Sequence, residues 1–345
     1  MHVVCFGAGA IGSLVGTRLA LGGVDVTLVA RRDHVAAIRT RGVTLETPRE
    51  RVVCKRIDSV TTIEDLASPP DLVLLTVKAY HTQEAARTLK AALGASVPVL
   101  SLQNGIGNEE VIAAEIGPAR TLAGTITISV NRPRPGVVRQ NSLVGGIGVA
   151  ALDPKQDPSP WVGLFQRAGI PAVLYRDHRE MKWSKLLINL FTNATSAIVD
   201  LSPVAVVEDT RLFEIEREAL REALRVMKRL RLRPVALPGY PVPILRAALV
   251  GPGWLVRPLM RRLVRRGRGE ARTSLWHDLQ RGRSENEVDV LNGAVAREAA
   301  RLGLRAPVNT ALTDVLHGLA AGRLDPGEYR GRPDALLAAV ARSQG

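Results

Sequence analysis

The sequence predicts an N-terminal α/β domain built on a parallel, doubly wound sheet, followed by an all-α domain. Three observations carry this. Residues 2–150 alternate short apolar runs with helix-like segments, the pattern of a parallel sheet covered on both faces. A glycine-rich turn, Gly7-Ala8-Gly9-Ala10-Ile11-Gly12, lies directly between the first apolar run and an amphipathic helix. From about Asp177 onward the periodicity is helical, without a convincing period of two.

In chain order, His2–Phe6, Val26–Ala30, Leu72–Val77 and Val97–Leu102 read as strands, with helices starting near Ile11, Tyr80 and Glu109. Extra strands are expected at Val43–Leu45, Val52–Lys55, Thr121–Val130 and Val137–Val149. A turn-rich break over 151–160 leads to one more helix and the short apolar run Pro171–Tyr175, after which the first domain ends. The expected domains are therefore 1–175 and 176–345, and the second carries helical stretches at 180–200, 204–232, 285–302 and 309–321. A chain of 345 residues suits two cores, one able to hold a cofactor and the other a substrate.

Composition narrows the function classes. A hydrophobic fraction of 46% with 23% charged residues is that of a globular protein with a real core. The formal charge of +14 suits anionic ligands, but four each of Trp, Tyr and Phe are few for base-stacking platforms, so nucleic acid is not the expected partner. Cys5 and Cys54 sit in apolar strand-like runs, which offers neither a disulfide framework nor a metal site. The N-terminus lacks the basic and long apolar regions of a signal peptide, and a reducing cytoplasm is the expected location.

The turn at 7–12 follows a strand and opens a helix, the context in which GxGxxG marks a Rossmann dinucleotide site. Gly7 permits the tight turn, Gly9 lets a pyrophosphate approach the backbone, and Gly12 allows close helix–strand packing. The helix N-terminus around Ala8, Ala10 and Ile11 offers amide donors and a favourable dipole. Where an NAD-specific protein carries Asp or Glu after the second strand, this chain has Arg31-Arg32. Guanidinium groups attract the 2′-phosphate that a carboxylate would repel, so NADPH is the expected cofactor.

Two further strand ends bear polar residues, Lys78 in Thr76-Val-Lys-Ala and Asn104 in Gln103-Asn-Gly. In an open α/β sheet these ends face the ligand, which points Lys78 and Asn104 at the nicotinamide half of the cofactor; Asn104 as a helix cap is the plainer reading. In the second domain Lys185, Asn189 and Asn193 are spaced by four, each step turning a helix about 40° past a full circle, so a continuous helix would carry them as one polar stripe. Leu186, Leu187, Ile188, Leu190 and Phe191 leave that stripe little solvated face.

The motifs GAGAIG at 7–12, TVKAY at 76–80, QNGIG at 103–107, KWSKLLINLFTN at 182–193 and SLWHDLQRGRSENEVDVLNG at 274–293 resemble, in this order, those of the ketopantoate reductase family. Its members are 6-phosphogluconate dehydrogenase-like oxidoreductases that reduce an α-keto acid with NADPH. The resemblance implies that Lys185 is the general acid for the keto oxygen, that Asn189 and Asn193 hydrogen-bond substrate oxygens, and that Ser274 binds the substrate carboxylate. Glu287 would then anchor the substrate hydroxyl or orient Lys185, and Lys78 and Asn104 would lie near the nicotinamide and ribose. The chain departs from the family pattern by one extra residue after Asp278, which makes Glu285 a competitor of Glu287. A longer departure is an insertion at about 234–269.

Within it, a helix-like Trp254–Arg266 interleaves arginines with apolar residues. A basic amphipathic helix can lie on an anionic membrane, but packing of its apolar stripe on the helical domain or on a homodimer partner is the favoured expectation. The expected activity is reduction of 2-dehydropantoate to pantoate, a step of pantothenate and coenzyme A biosynthesis. The alternatives are a reductase of another keto acid or imine, and a redox sensor that binds NADPH without turnover.

Overall fold

The computed structural model describes residues 1–345 except 95, 245, 247–250, 268–271, 283 and 345, and no side chain at 255, 266 or 267. Parts of the 234–269 insertion thus lie outside the described residues. The chain divides into two compact units. The first comprises Met1–Gln103, Gly107–Lys182 and Leu237–Tyr240; the second comprises Asn104–Ile106, Trp183–Ala236 and Pro241–Gly345.

Among its described residues the first unit holds twelve strands in two sheets. They are β1 (His2–Phe6), β2 (Asp25–Val29), β3 (Val43–Glu46), β4 (Arg51–Cys54), β5 (Asp58–Val60) and β6 (Leu72–Leu75), then β7 (Val99–Ser101), β8 (Thr121–Ile126), β9 (Val130–Arg134), β10 (Val137–Gln140), β11 (Ile147–Ala151) and β12 (Ala172–Leu174). The large sheet runs β12-β11-β8-β7-β6-β1-β2-β5 and is parallel except where β11 meets β8. Strands β1, β6 and β7 are almost wholly apolar and buried, as a sheet covered on both faces requires. One core layer lies under the helix Ala10–Leu21, around Val3, Cys5, Leu14, Leu19, Leu28 and Phe165. The opposite layer gathers Val4, Leu75, Ala86, Leu89, Val99 and Ile112.

The extra strands differ from the expectation of one sheet. β4-β3-β10-β9 form a separate four-stranded sheet, which packs Val43, Leu45 and Val138 into the first core layer. The two long runs expected at 121–130 and 137–149 are each cut in two, so that one half serves each sheet. The second cut passes through Gly145, whose φ of +119° and 2.8 Å approach of a would-be Cβ to the Thr127 backbone admit only glycine. Strand β5, Asp-Ser-Val, has too little apolar character to be read from sequence and exists because it pairs with β2 at the sheet's edge.

The turn of the β9–β10 hairpin is tied to the glycine turn by a buried histidine. The Gly136 N–H donates to His34 Nδ1 (2.9 Å), which leaves Nε2–H to donate to Ser13 Oγ (3.0 Å), and Ser13 donates to the Ala8 carbonyl (3.2 Å). His34 is 1% exposed. Burial, reinforced by the charge of Arg132 and opposed by Asp33, pushes its pKa down to about 4.

The second unit is helical. Thr210–Arg229 runs through it and packs against Asn292–Arg301, Pro307–Ala320 and Pro333–Gln344. Its Glu222, buried at 1% exposure, caps Pro307–Ala320 from a distance of 86 residues along the chain, accepting the Val308 and Asn309 N–H groups at 2.9 Å each. Desolvation raises the Glu222 pKa against the pull of those donors. The insertion contributes the helix Gly253–Gly267. Val256, Met260 and Val264 are its buried seam, and it packs on Pro203–Glu208, where Arg261 and Arg265 pair with Glu208 (2.7 and 3.3 Å). One apolar seam of this helix is therefore covered by its own chain, whereas Trp254, Leu259 and Leu263 are exposed. Among the described residues no helix is long and apolar enough to cross a membrane.

Because the folded protein refuses a proton at His34 that the unfolded chain accepts near pH 6.5, this residue contributes stability that is present above that pH and lost as pH falls towards 4. Urea midpoints measured from pH 7 to pH 4 are expected to fall, and the fall is expected to be shallower in His34→Gln. Equal slopes in the two proteins would remove His34 from the acid response.

Candidate functional site

The glycine turn has the geometry of a phosphate cradle. The N–H groups of Gly7 and Ala8 are both spent on the Val29 carbonyl (3.2 and 2.8 Å), and that of Gly9 on Gly7 O (2.6 Å). The helix Ala10–Leu21 then begins with Gly9 as its N-cap, no side-chain cap and no acidic residue in its first turn, so the amides of Ala10, Ile11 and Gly12 carry the uncompensated positive end of the helix. A Cβ at Gly7 would lie 2.7 Å from the Val77 nitrogen, and one at Gly12 would lie 2.5 Å from Thr76 Oγ1. At Gly9, by contrast, the nearest atom would be 3.9 Å away, so nothing inside the protein demands glycine there. The missing side chain leaves the turn open to an approaching group, and the residues fit a dinucleotide pyrophosphate.

Arg31 is exposed, occupies the N-cap of the helix Arg32–Arg41, and has no hydrogen-bond or ion-pair partner among the described residues. Its guanidinium is thus available to an anion. Lys78, half-buried, is the N-cap of the short helical turn Ala79–His81 that follows β6.

In the second unit, four separate segments converge. Asn189 Nδ2 donates to Asn104 Oδ1 (3.2 Å), and the Ile106 N–H donates to Val290 O (2.9 Å), which docks Asn104–Ile106 against the turn Glu287–Val290. Asn193 Nδ2 reaches Ser274 Oγ (3.4 Å), while Asn193 O accepts the Thr273 hydroxyl (3.1 Å). Asp200 holds the neighbouring helix Ser274–Gln280 through Trp276 Nε1 (2.7 Å) and also pairs with Arg272 (3.1 Å) and Arg330 (3.2 Å). Glu287 is 4% exposed and Glu285 is exposed, so of the two carboxylates only Glu287 is buried.

The expected single polar stripe is corrected in one respect. The helix His178–Leu190 carries Lys185 and Asn189 one turn apart, but it stops before Asn193. Thr192 adopts the left-handed conformation (φ 62°), held there because its N–H donates to the buried carboxylate of Glu216 (2.6 Å), and Asn193 opens a second helix, Asn193–Val199. No glycine or proline marks this break. Its cause is a carboxylate 24 residues away in the chain.

Sequence reasoning also missed Lys182. Its ammonium, 4% exposed, pairs with Glu109 Oε1 (2.7 Å) and donates to Gln103 O (2.8 Å) and Gly124 O (3.3 Å). The available signal was a lysine between Met181 and Trp183 on an otherwise apolar flank.

Known proteins fit this arrangement. The family described as "Ketopantoate reductase PanE/ApbA" matches residues 3–153, and its C-terminal counterpart matches residues 177–320. The chain belongs to the ketopantoate reductase family. It is accordingly an oxidoreductase. The 2-dehydropantoate 2-reductase of Pyrococcus horikoshii is 31% identical over 90% of this chain and 94% of its own length. That of Archaeoglobus fulgidus is 30% identical over 93% and 98%. Among solved structures, a PanE/ApbA family ketopantoate reductase from Ralstonia eutropha is 28% identical, with a TM-score of 0.79 over 94% of this chain and 99% of that one. A D-mandelate dehydrogenase with NADH and anilino(oxo)acetate shares the fold at 20% identity, with a TM-score of 0.80 over 93% of this chain and 99% of that one. These likenesses bear out the α/β plus all-α fold class and the family read from the motifs.

The two glycines separate by experiment. Gly9→Ala is expected to keep the wild-type melting temperature and weaken NADPH binding about tenfold or more, a loss of at least about 1.4 kcal/mol. Gly12→Ala is expected to cost about 1–3 kcal/mol of stability through overpacking against Thr76. Undiminished NADPH affinity in Gly9→Ala would rule out the cradle.

Proposed function

We propose that this protein reduces a 2-keto acid to the 2-hydroxy acid with NADPH, with 2-dehydropantoate as substrate and pantoate as product. The observation that carries the reading is that Asn189, one turn from Lys185 on the same helix, meets Asn104, while Asn193 on the helix that follows meets Ser274. The names of the relatives, at 30–31% identity across nearly the whole chain, support 2-dehydropantoate in particular. The guanidinium of Arg31, without a partner among the described residues, supports the phosphorylated cofactor.

The amides of Ala10–Gly12 hold the pyrophosphate, Arg31 the 2′-phosphate, and Lys78 and Asn104 the nicotinamide riboside. When bound, the reduced nicotinamide supplies the hydride that becomes the new C–H bond at the keto carbon. Lys185 donates its ammonium proton to the keto oxygen as negative charge builds there, so that an alcohol and a neutral amine result, and the amine then recovers a proton from solvent. Asn189 and Asn193 hold the substrate oxygens, Ser274 the carboxylate, and Glu287 the nascent hydroxyl or the lysine. A carboxylic acid fits a site whose partners are hydroxyl, amide and ammonium donors. The domain reading follows: residues 1–175 bind the cofactor and residues 176–345 the substrate, in the cytoplasm.

Lys185→Ala is expected to lower kcat at least about 100-fold while NADPH still binds. Wild-type turnover in that variant would remove Lys185 from the mechanism. Arg31→Ala is expected to raise the KM for NADPH about tenfold and leave the KM for NADH unchanged, in keeping with one lost charge-assisted contact. A panel of keto acids and imines followed by NADPH consumption tests the substrate; a better rate on another member would displace 2-dehydropantoate.

A further inference from the structure

The Lys182–Glu109 pair is more than a buried contact. An ammonium has three N–H donors, and here each has an acceptor: Glu109 Oε1 (2.7 Å), the Gln103 carbonyl (2.8 Å) and the Gly124 carbonyl (3.3 Å). The acceptors belong to the first turn of the helix Asn108–Ile116, to the second residue past β7, and to β8. The side chain of Gln103 is saturated in turn. Its amide donates to the Val77 carbonyl (3.0 Å) and to Thr82 Oγ1 (2.8 Å), and its Oε1 accepts from Ser101 Oγ (3.3 Å). Thr82 reaches on to the Ala79 carbonyl (2.7 Å) and to Asn108 (2.9 Å).

This network ties the ends of β6 and β7 together at the residues that immediately precede the two polar strand ends. Val77 is peptide-bonded to Lys78, and Gln103 to Asn104. Stability alone does not account for it, because well-packed apolar residues commonly replace a buried ion pair at no loss or with a gain. What an apolar pair cannot do is fix the direction of the Gln103 carbonyl and, through Gln103, that of Val77.

We infer that Lys182, Glu109 and Gln103 are positioning residues that set the strand-end platform bearing Lys78 and Asn104, and so govern how the nicotinamide half of the cofactor is held. The inference rests on the proposed function insofar as that platform faces the nicotinamide.

The test compares Lys182→Met/Glu109→Leu, which removes both charges together, with Gln103→Met, which leaves the ion pair and cuts the ties to Val77 and Thr82. NADPH affinity is read by direct fluorescence titration, the reduction rate at saturating NADPH by single turnover, and folding by melting temperature. Both variants are expected to weaken NADPH binding and slow single turnover about 10- to 100-fold while still melting cooperatively, the size of effect a misplacement of about 1 Å produces. A merely structural role lowers the melting temperature and leaves affinity and rate alone. Values within twofold of wild type in a folded double variant overturn the inference. Should the double variant not fold, the same result in Gln103→Met overturns it. If the wild-type protein binds NADPH but reduces no keto acid, the proposed reaction fails while the affinity comparison still decides the positioning role.

Discussion

The carboxyl edge of the eight-stranded sheet depends on how closely the turn Gly7–Gly12 lies against the end of β6. Val77 and Thr76 fill the space that side chains at Gly7 and Gly12 would need, and Thr76 Oγ1 also donates to the Gly7 carbonyl (2.8 Å). That contact fixes the start of the helix Ala10–Leu21 and the direction of its free amides. The same helix packs the four-stranded sheet on its other side, and Ser13 and His34 carry the connection to the turn at Gly136. Glycine at two positions thus sets the cradle, the seating of the second sheet and a neutral buried histidine together.

The second unit is governed differently, by carboxylates set between helices. Glu216 breaks a helix at Thr192, Glu222 starts one at Pro307, and Asp200 gathers Trp276, Arg272 and Arg330 around the end of Asn193–Val199. Glu216 and Glu222 are buried and accept main-chain N–H groups that would otherwise go unpaired in an apolar interior, whereas Asp200 is half-buried and gathers charged and indole donors at the rim. The break at Thr192 has a chemical consequence. It places Asn193 at the first turn of its own helix, where its side chain can meet Ser274 while its carbonyl takes the Thr273 hydroxyl.

Sequence was most informative where chemistry demands a local pattern. The glycine turn, the Arg31 position and the strand ends at Lys78 and Asn104 are each readable within a few residues, because turn geometry and strand termini are local properties. The family motifs pointed to Lys185, Asn189, Asn193, Ser274 and Glu287 for the same reason, and of these the structure joins Asn193 to Ser274 and Asn189 to Asn104. What stayed hidden depends on partners far apart in the chain. Lys182 meets Glu109 across 73 residues, and Glu222 meets Val308 across 86. No propensity encodes such pairings. The split of Thr121–Val130 between two sheets was equally hidden, since both halves have strand composition and only the tertiary arrangement assigns each half to a sheet.

Both sheets end in strands that offer poor templates. At the margins of the large sheet, β5 and β12 are three residues each. The small sheet is bounded by β4, which opens on Arg51, and by β9, whose Val-Asn-Arg-Pro-Arg carries two arginines and a proline that has no amide proton to give. A stray extended chain arriving at any of these margins finds few consecutive hydrogen-bonding groups and, on the small sheet, fixed positive charge. The interior strands β1, β6 and β7 are apolar almost throughout, the composition that favours fibril stacking, and they sit where such a chain cannot reach them. The strand order of this protein is, in that sense, also a guard against aggregation.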